Sequence, residues 1–455
     1  MTRTQWNDVF GPHTRSLGSI IAAGQRGLAA AVPATPEERT AALWSFGYFF
    51  SLLAGYYVLR PLRDQMGIAG GVQHLPWLLT ATFVALLATQ PIYGALVARL
   101  PRARFIPIVY HFFVINLAAF WLLLTLNVAP VEVARVFFVW VSVFSLFAVA
   151  VFWSFMADLF TAEQGKRLFG FIGAGGTAGG LLGPIITIGL SKPLGSVNLL
   201  IPAAALLEVA VFCAYRLERA ATAPPAGHAA VRAEPTRIGG NAFAALPELI
   251  RSPYLLGIAA WVSLLSFGAT IVYLEQANII AAAVHERDAQ TRIFAGIDLA
   301  VGLLSLATQV FATAQVLGRW GTGAAAAALP AVYIAGFAAL FLAPTLAVVI
   351  ALQVVQRWMN FAIANPARQV FFTVLERGEK YKAKNLIDVV IYRGSDAAYG
   401  WVFDSLQALG LKFGGIALVA IPVVAAWLLL SVALGRTQQR RAALIEMEAP
   451  KGESA

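Results

Sequence analysis

Residues 413–434 read FGGIALVAIPVVAAWLLLSVAL, 22 positions without a charged side chain and with Ser431 as the lone hydroxyl. As an α-helix this stretch is about 33 Å long at 1.5 Å per residue, enough to cross ~30 Å of hydrocarbon. Eleven further apolar runs follow the same rule, near 41–59, 73–95, 105–126, 133–156, 168–190, 196–215, 253–275, 293–316, 323–343, 345–364 and 385–407. They are continuously apolar rather than alternating, which predicts spanning helices and not barrel strands. Composition agrees. Of 455 residues 59% are hydrophobic and 12% charged, half the charge of an average soluble domain, which is ~25%, and the mean hydropathy is +0.73. A water-soluble globule has no way to cover that much apolar surface. One cysteine, Cys213, excludes an internal disulfide.

The net charge of +10 is not a nucleic-acid signature, because the basic residues sit in short connectors between apolar runs. Placing the N-terminus in the cytoplasm puts 24 Lys and Arg on that side and 7 on the other, with Arg357 and Arg393 inside spans. The asymmetry predicts both termini inside a cell inner membrane. Residues 1–40 form a cytoplasmic tail whose stretch Leu17–Val32, interrupted by Gly24-Gln25-Arg26-Gly27, lacks a signal-peptide layout and reads as an interfacial helix. The segment 216–252, with Pro224, Pro225, Gly227, Gly239 and Gly240, reads as a cytoplasmic linker. It separates a six-helix bundle over 41–215 from a second over 253–434, and 435–455 is a cytoplasmic tail. Twelve helices in two six-helix bundles, all-α and integral to the membrane, is the architecture of the major facilitator superfamily, which implies a binding site at mid-membrane between the halves. The connector Gly94–Arg104 resembles that superfamily's Gly-x-x-x-Asp-Arg-x-Gly-Arg-Arg loop, with Ala98 in place of the acid.

Ionisable side chains within spans are the functional candidates, since charge in hydrocarbon costs several kcal/mol. Span eleven holds Asp388, Tyr392, Arg393, Ser395, Asp396 and Tyr399; at 100° per residue all but Arg393 share one arc. Such a face either lines a cavity or fastens the helix to a neighbour. Span one ends on Arg60 and Arg63, whose planar forks suit phosphate or carboxylate. Glu275 at the end of span seven, Asp298 in span eight and Arg357 in span ten complete the set, and a buried Glu is a candidate to carry a coupling proton. The glycines of span five fit a dinucleotide pattern, Gly173-Ala-Gly175-Gly-Thr-Ala178, but no strand precedes it. Gly175, Gly179 and Gly183, spaced by four, read instead as a close helix-packing face. Gly170, Gly179 and Gly183-Pro184 also resemble an antiporter pattern, which points to exchange. Five scattered histidines and a lone thiol offer no metal or hydrolase constellation, so neither a cofactor nor an enzyme is expected.

Four segments together resemble the ATP/ADP translocase (nucleotide transporter) family: Leu59-Arg60-Pro61-Leu62-Arg63-Asp64; Phe152-Trp153-Ser154-Phe155-Met156-Ala157-Asp158 with Gly165-Lys166-Arg167-Leu168-Phe169; Tyr273-Leu274-Glu275; and Asn365-Pro366-Ala367-Arg368 through Lys382-Ala383-Lys384-Asn385 to Asp388-Val389-Val390 and Arg393. The resemblance implies a nucleotide exchanger in which Arg63, Glu275, Asp388 and Arg393 contact substrate. Where that family carries a lysine three residues after the helix-eleven arginine, this chain has Asp396. The expectation is a secondary transporter of a nucleotide or another phosphorylated or anionic metabolite, with Arg60, Arg63, Glu275, Arg357, Asp388, Tyr392, Arg393, Asp396 and Tyr399 as candidate substrate contacts. Two other readings stand beside it, a proton-coupled exporter of amphipathic or cationic compounds and a non-transporting membrane sensor or scaffold.

Overall fold

The computed structural model describes residues 35–99, 102–221, 246–375, 383–384 and 386–448. The expected interfacial helix within 1–40 and most of the linker over 216–252 lie outside the described residues. What is described is helical. Labelling only the membrane-length segments, α1 is Pro36–Ala69, α2 Leu75–Arg99, α3 Arg102–Thr125, α4 Pro130–Leu159, α5 Ala162–Leu194 and α6 Leu200–Ala221. After a short helix at Leu246–Arg251 come α7 Pro253–Ala283, α8 Arg287–Phe311, α9 Thr313–Leu342, α10 Leu346–Met359, α11 Tyr392–Ala408 and α12 Phe413–Glu448. π-helical turns extend α10 through Asn360–Ala364 and precede α11 over Leu386–Ile391.

Eleven of these helices are long and apolar enough to cross a membrane. The segment holding α11 is not among them, because Asp388, Arg393, Asp396 and Asp404 break its apolar run. The expected span at 385–407 is therefore not apolar enough to cross a membrane by its own composition. The hydroxyls and carboxylate of its polar side find partners on α7 and need none in lipid.

Helix starts follow the local chemistry. Thr35 opens α1 and Thr161 opens α5 with capping boxes, each threonine paired reciprocally with the residue three on, Glu38 and Gln164. The first expected span, 41–59, is ten residues short at its far end. Pro61 removes one main-chain bond but does not end α1, which continues to Ala69; membrane helices tolerate proline where neighbours supply alternatives. Arg60 and Arg63, read from the sequence as the close of span one, are thus inside the helix. Likewise α12 carries on to Glu448, so the segment read as a tail from residue 435 is helical through residue 448.

Buried side chains form two apolar clusters. One gathers residues of α1 and α3–α6, around Tyr48, Phe137, Phe144 and Phe152. The other gathers α7, α9, α10 and α12 around Trp261, Tyr333, Phe337 and Trp427, with Leu75, Leu78 and Phe138 added from the first half. Helices α1, α2 and α5 of the first half touch α7, α8 and α11 of the second, and the candidate site lies along that seam.

Candidate functional site

The site begins with Arg60. Nine residues before the end of α1, it sits about 13 Å inside the helix terminus. Its Nη1 lies 3.0 Å from Oδ1 of Asp298 on α8, and Nη1 of Arg357 on α10 lies 2.7 Å from the same oxygen. Asp298 is only 3% exposed, and its second oxygen, Oδ2, has no hydrogen-bond partner among the described residues. Burying three ions is favourable only when their mutual attraction offsets lost hydration. Here one carboxylate serves two guanidinium groups, so the cluster keeps one net positive charge. The Arg60 guanidinium lies 5.8 Å from the ring centre of Tyr57, one helical turn earlier.

Asp298 and Arg357 open onto a cavity of about 250 Å³. Its walls come from both halves: Phe49, Leu53 and Tyr57 of α1, Gly173 to Leu181 of α5, Val301 to Gln309 of α8, and Phe361 beyond α10. The glycines make this space. A Cβ at Gly176 would run into the ring of Phe49, and one at Gly180 would stand 3.3 Å from that of Tyr57. On the adjoining face of α5, a Cβ at Gly175 would meet the Phe46 carbonyl oxygen at 2.6 Å, one at Gly183 the Cβ of Tyr57 at 2.6 Å, and one at Gly179 would collide with the Phe50 carbonyl. These three glycines let the α5 backbone lie directly on α1.

Arg63 is engaged elsewhere. Its Nε and Nη2 donate to Oδ1 of Asp64 at 3.0 and 2.6 Å, its Nη1 reaches Ser142 at 3.5 Å, and its guanidinium lies 5.0 Å from the Phe138 ring centre. The Tyr273 hydroxyl donates to the same Asp64 oxygen at 3.2 Å, linking α1 to α7. Two residues further on, Glu275 is fully buried and neither of its oxygens has a hydrogen-bond partner among the described residues.

The polar side of α11 faces α7. Ser263 shares hydrogen bonds of 2.9 Å with Ser395 and Tyr399; Ser266 and Thr270 donate to Oδ1 of Asp396 at 2.6 and 3.3 Å. Arg393 reaches Oδ2 of Asp396 at 3.3 Å and lies 5.4 Å from the ring centre of Tyr392. Asp388 takes Arg368 at 2.9 Å, beside the end of α10. None of Asp388, Tyr392, Arg393, Asp396 and Tyr399 lines the cavity at Asp298, and neither do Arg63 and Glu275. The sequence groups the site on helices one, seven, ten and eleven; this cavity takes α1, α5, α8 and α10. Of the expected contacts Arg357 borders it, and Arg60 joins it through Asp298. Asp298, read from the sequence as a weaker candidate than Glu275, is the hub. Its solitary charge in the run 293–316 is a visible signal, but nothing local names its two partners.

Beyond the cavity, toward the end where α1 stops and α2 starts, the halves are closed. The main-chain nitrogen and Oγ of Ser196, just after α5, donate to Oδ1 of Asp288 on α8 at 2.8 and 2.5 Å, and Thr291 adds a third contact at 2.9 Å. Across the molecule Trp401 of α11 donates to Thr80 of α2 at 3.0 Å and stacks edge-on with Trp77 at 4.7 Å. The Asp288 latch is invisible in sequence, where it is one acid in a polar connector.

No protein-family model matches this chain, and no curated protein matches its sequence. Solved structures do resemble it. A bacterial homologue of the human lysosomal transporter Spinster, in an inward-facing, unoccupied conformation, superposes with a TM-score of 0.58 at 15% identity over 89% of this chain and 99% of that one. The two chains share one fold. A mutant of the nucleoside transporter NupG gives 0.57 at 15% identity over 89% and 99% of the two chains. A bacterial homologue of the iron transporter ferroportin, in an outward-facing state, gives 0.54 at 12% identity over 89% and 100%.

Proposed function

We propose that the chain is a secondary active transporter that moves a phosphorylated or otherwise anionic metabolite of the nucleotide type across the inner membrane by alternating access. The observation that carries this is the Arg60–Asp298–Arg357 cluster, in which three helices from both halves bring a net positive charge to a cavity midway along the molecule. A buried positive charge invites an anionic guest, and because its members come from α1 on one side and α8 and α10 on the other, a bound anion acts on the contact between the halves. The resemblance of Leu59–Asp64 and Asn365–Arg393 to the ATP/ADP translocase family supports the nucleotide type and an exchange mode, and a nucleoside carrier is among the proteins of similar fold.

With both termini cytoplasmic, the end closed by Ser196–Asp288 and Thr80–Trp401 is periplasmic, and the cavity belongs to an inward-facing state. Placing Arg60 and Arg63 within α1 strengthens the charge asymmetry behind this orientation, since it leaves Arg135, Lys192, Arg287, Arg292 and Lys412 on the outer side. The exporter reading rests on Glu275, Asp298, Asp388 and Asp396. Three of those four acids already carry an arginine, which leaves them little charge for a cationic guest. A scaffold has no need of a cavity at a buried charge.

The test is uptake of labelled nucleotides into proteoliposomes by the purified, monodisperse protein, preloaded with unlabelled nucleotide to report exchange. Saturable uptake lost in Arg357→Gln supports the proposal; no uptake and no binding of any nucleotide ends it.

A further inference from the structure

The cluster counts charge as well as attracting it. Arg60 and Arg357 share one oxygen of Asp298, at 3.0 and 2.7 Å, in a site where the carboxylate is almost fully buried. The next charges along α1, Arg63 and Asp64, neutralise each other, as do Arg393 and Asp396 on α11 and Arg368 with Asp388. The cavity at Asp298 therefore presents one uncompensated positive charge. A carrier must take its loaded site through the occluded state in low dielectric, where each charge left without a partner is heavily penalised. A guest with one negative charge leaves the loaded cluster neutral, whereas a nucleoside triphosphate, with about four at pH 7, leaves about three unmatched. Phe49, Tyr57 and Phe361 supply aromatic walls for an apolar body on the guest.

We infer that Asp298 is a specificity-determining residue that sets the charge of the transported anion, restricting it to a guest with one negative charge, a carboxylate or the monoanion of a single phosphomonoester, on an aromatic body rather than a di- or triphosphate. This rests on the cavity being the substrate site. The carboxylate does so by cancelling one of two arginines, so that altering the cluster by one charge moves the preferred guest by one charge.

The experiment uses the full-length protein in lipid nanodiscs and measures binding of adenosine, AMP, ADP and ATP at about pH 5 and low salt. At that pH, about one unit below its second pKa of ~6, a phosphomonoester carries close to a single charge. Wild-type affinity is expected to peak at AMP, falling on the order of tenfold or more for each further phosphate. Arg357→Gln moves the peak toward adenosine, and Asp298→Asn moves it toward ADP. The double variant Asp298→Asn/Arg357→Gln keeps one positive charge at Arg60 and returns the peak to AMP. It also covers the case in which Asp298→Asn alone, with two buried arginines and no acid, does not fold. Binding whose order is the same in wild type, Arg357→Gln and the double variant, or a wild type that prefers ATP, overturns the inference and leaves transport of nucleotides standing. A folded wild type that binds none of the four overturns the nucleotide reading itself and the inference with it.

Discussion

The α1–α5 seam offers a comparison that isolates packing. Gly183 and Gly189 lie on the same helix, six residues apart. A Cβ at Gly189 meets nothing within 4 Å, whereas one at Gly183 stands 2.6 Å from Tyr57 Cβ, 2.7 Å from the Ala54 carbonyl oxygen and 2.9 Å from the Tyr57 carbonyl carbon. Comfortable carbon–carbon contact is ~3.5–4.0 Å, so Gly183→Ala requires α1 and α5 to part by roughly 1 Å. No rotamer change relieves it, because the three atoms are main chain or Cβ. Overpacking of this kind costs about 1–3 kcal/mol. The helix-propensity gain of Gly→Ala, up to ~1 kcal/mol, applies at both positions and cancels in the difference. Gly189→Ala is therefore expected to match or exceed wild-type stability, and Gly183→Ala to fall about 1–3 kcal/mol below Gly189→Ala. Reversible unfolding in mixed micelles titrated with sodium dodecyl sulfate, followed by tryptophan fluorescence, measures both. Equal stabilities within ~0.5 kcal/mol, close to the additivity error of such comparisons, would refute the reasoning that these glycines exist to bring two backbones together.

Asp288→Ala removes the charged acceptor of two hydrogen bonds donated by Ser196, each worth ~1.5–3 kcal/mol, and should open the closed end; in a Thr291→Cys background a membrane-impermeant maleimide added from that side then reacts at least about tenfold faster. Cys213 is buried and gives little background. Ser431→Ala leaves the Trp261 indole N–H, which donates to Ser431 at 2.8 Å in the second core, without a partner; the expected loss is about 1–3 kcal/mol in the same unfolding assay, and an unchanged midpoint would show that the bond contributes nothing. Reporter fusions after residue 455 are expected to be active as cytoplasmic fluorescent protein and inactive as periplasmic phosphatase, and the reverse result would invert the orientation on which the inward-facing assignment rests.

Sequence alone determined what depends on transfer from water to lipid, because that free energy is a sum over neighbouring residues in one chain segment. The apolar runs and the helical class are of this kind, and the small-residue face at Gly175, Gly179 and Gly183 follows from spacing along one helix. The sequence also marked Asp298 and Arg357 as charges that oil would not hold unaided. Which charge answers which was decided only in three dimensions. Asp298 serves arginines 238 and 59 positions away in the chain, and no periodicity within α8 encodes the helices that stand beside it. The polar arc of α11 was legible as an arc, but its direction was not. Hydroxyls on α7 at Ser263, Ser266 and Thr270 draw it into a helix contact rather than toward the cavity at Asp298. The run of α1 past Pro61 was hidden for the same reason, since a proline's effect in a membrane depends on the neighbours that surround the main-chain group it frees. Local chemistry determines what must be buried or compensated, and the packing of distant helices decides the compensating partner.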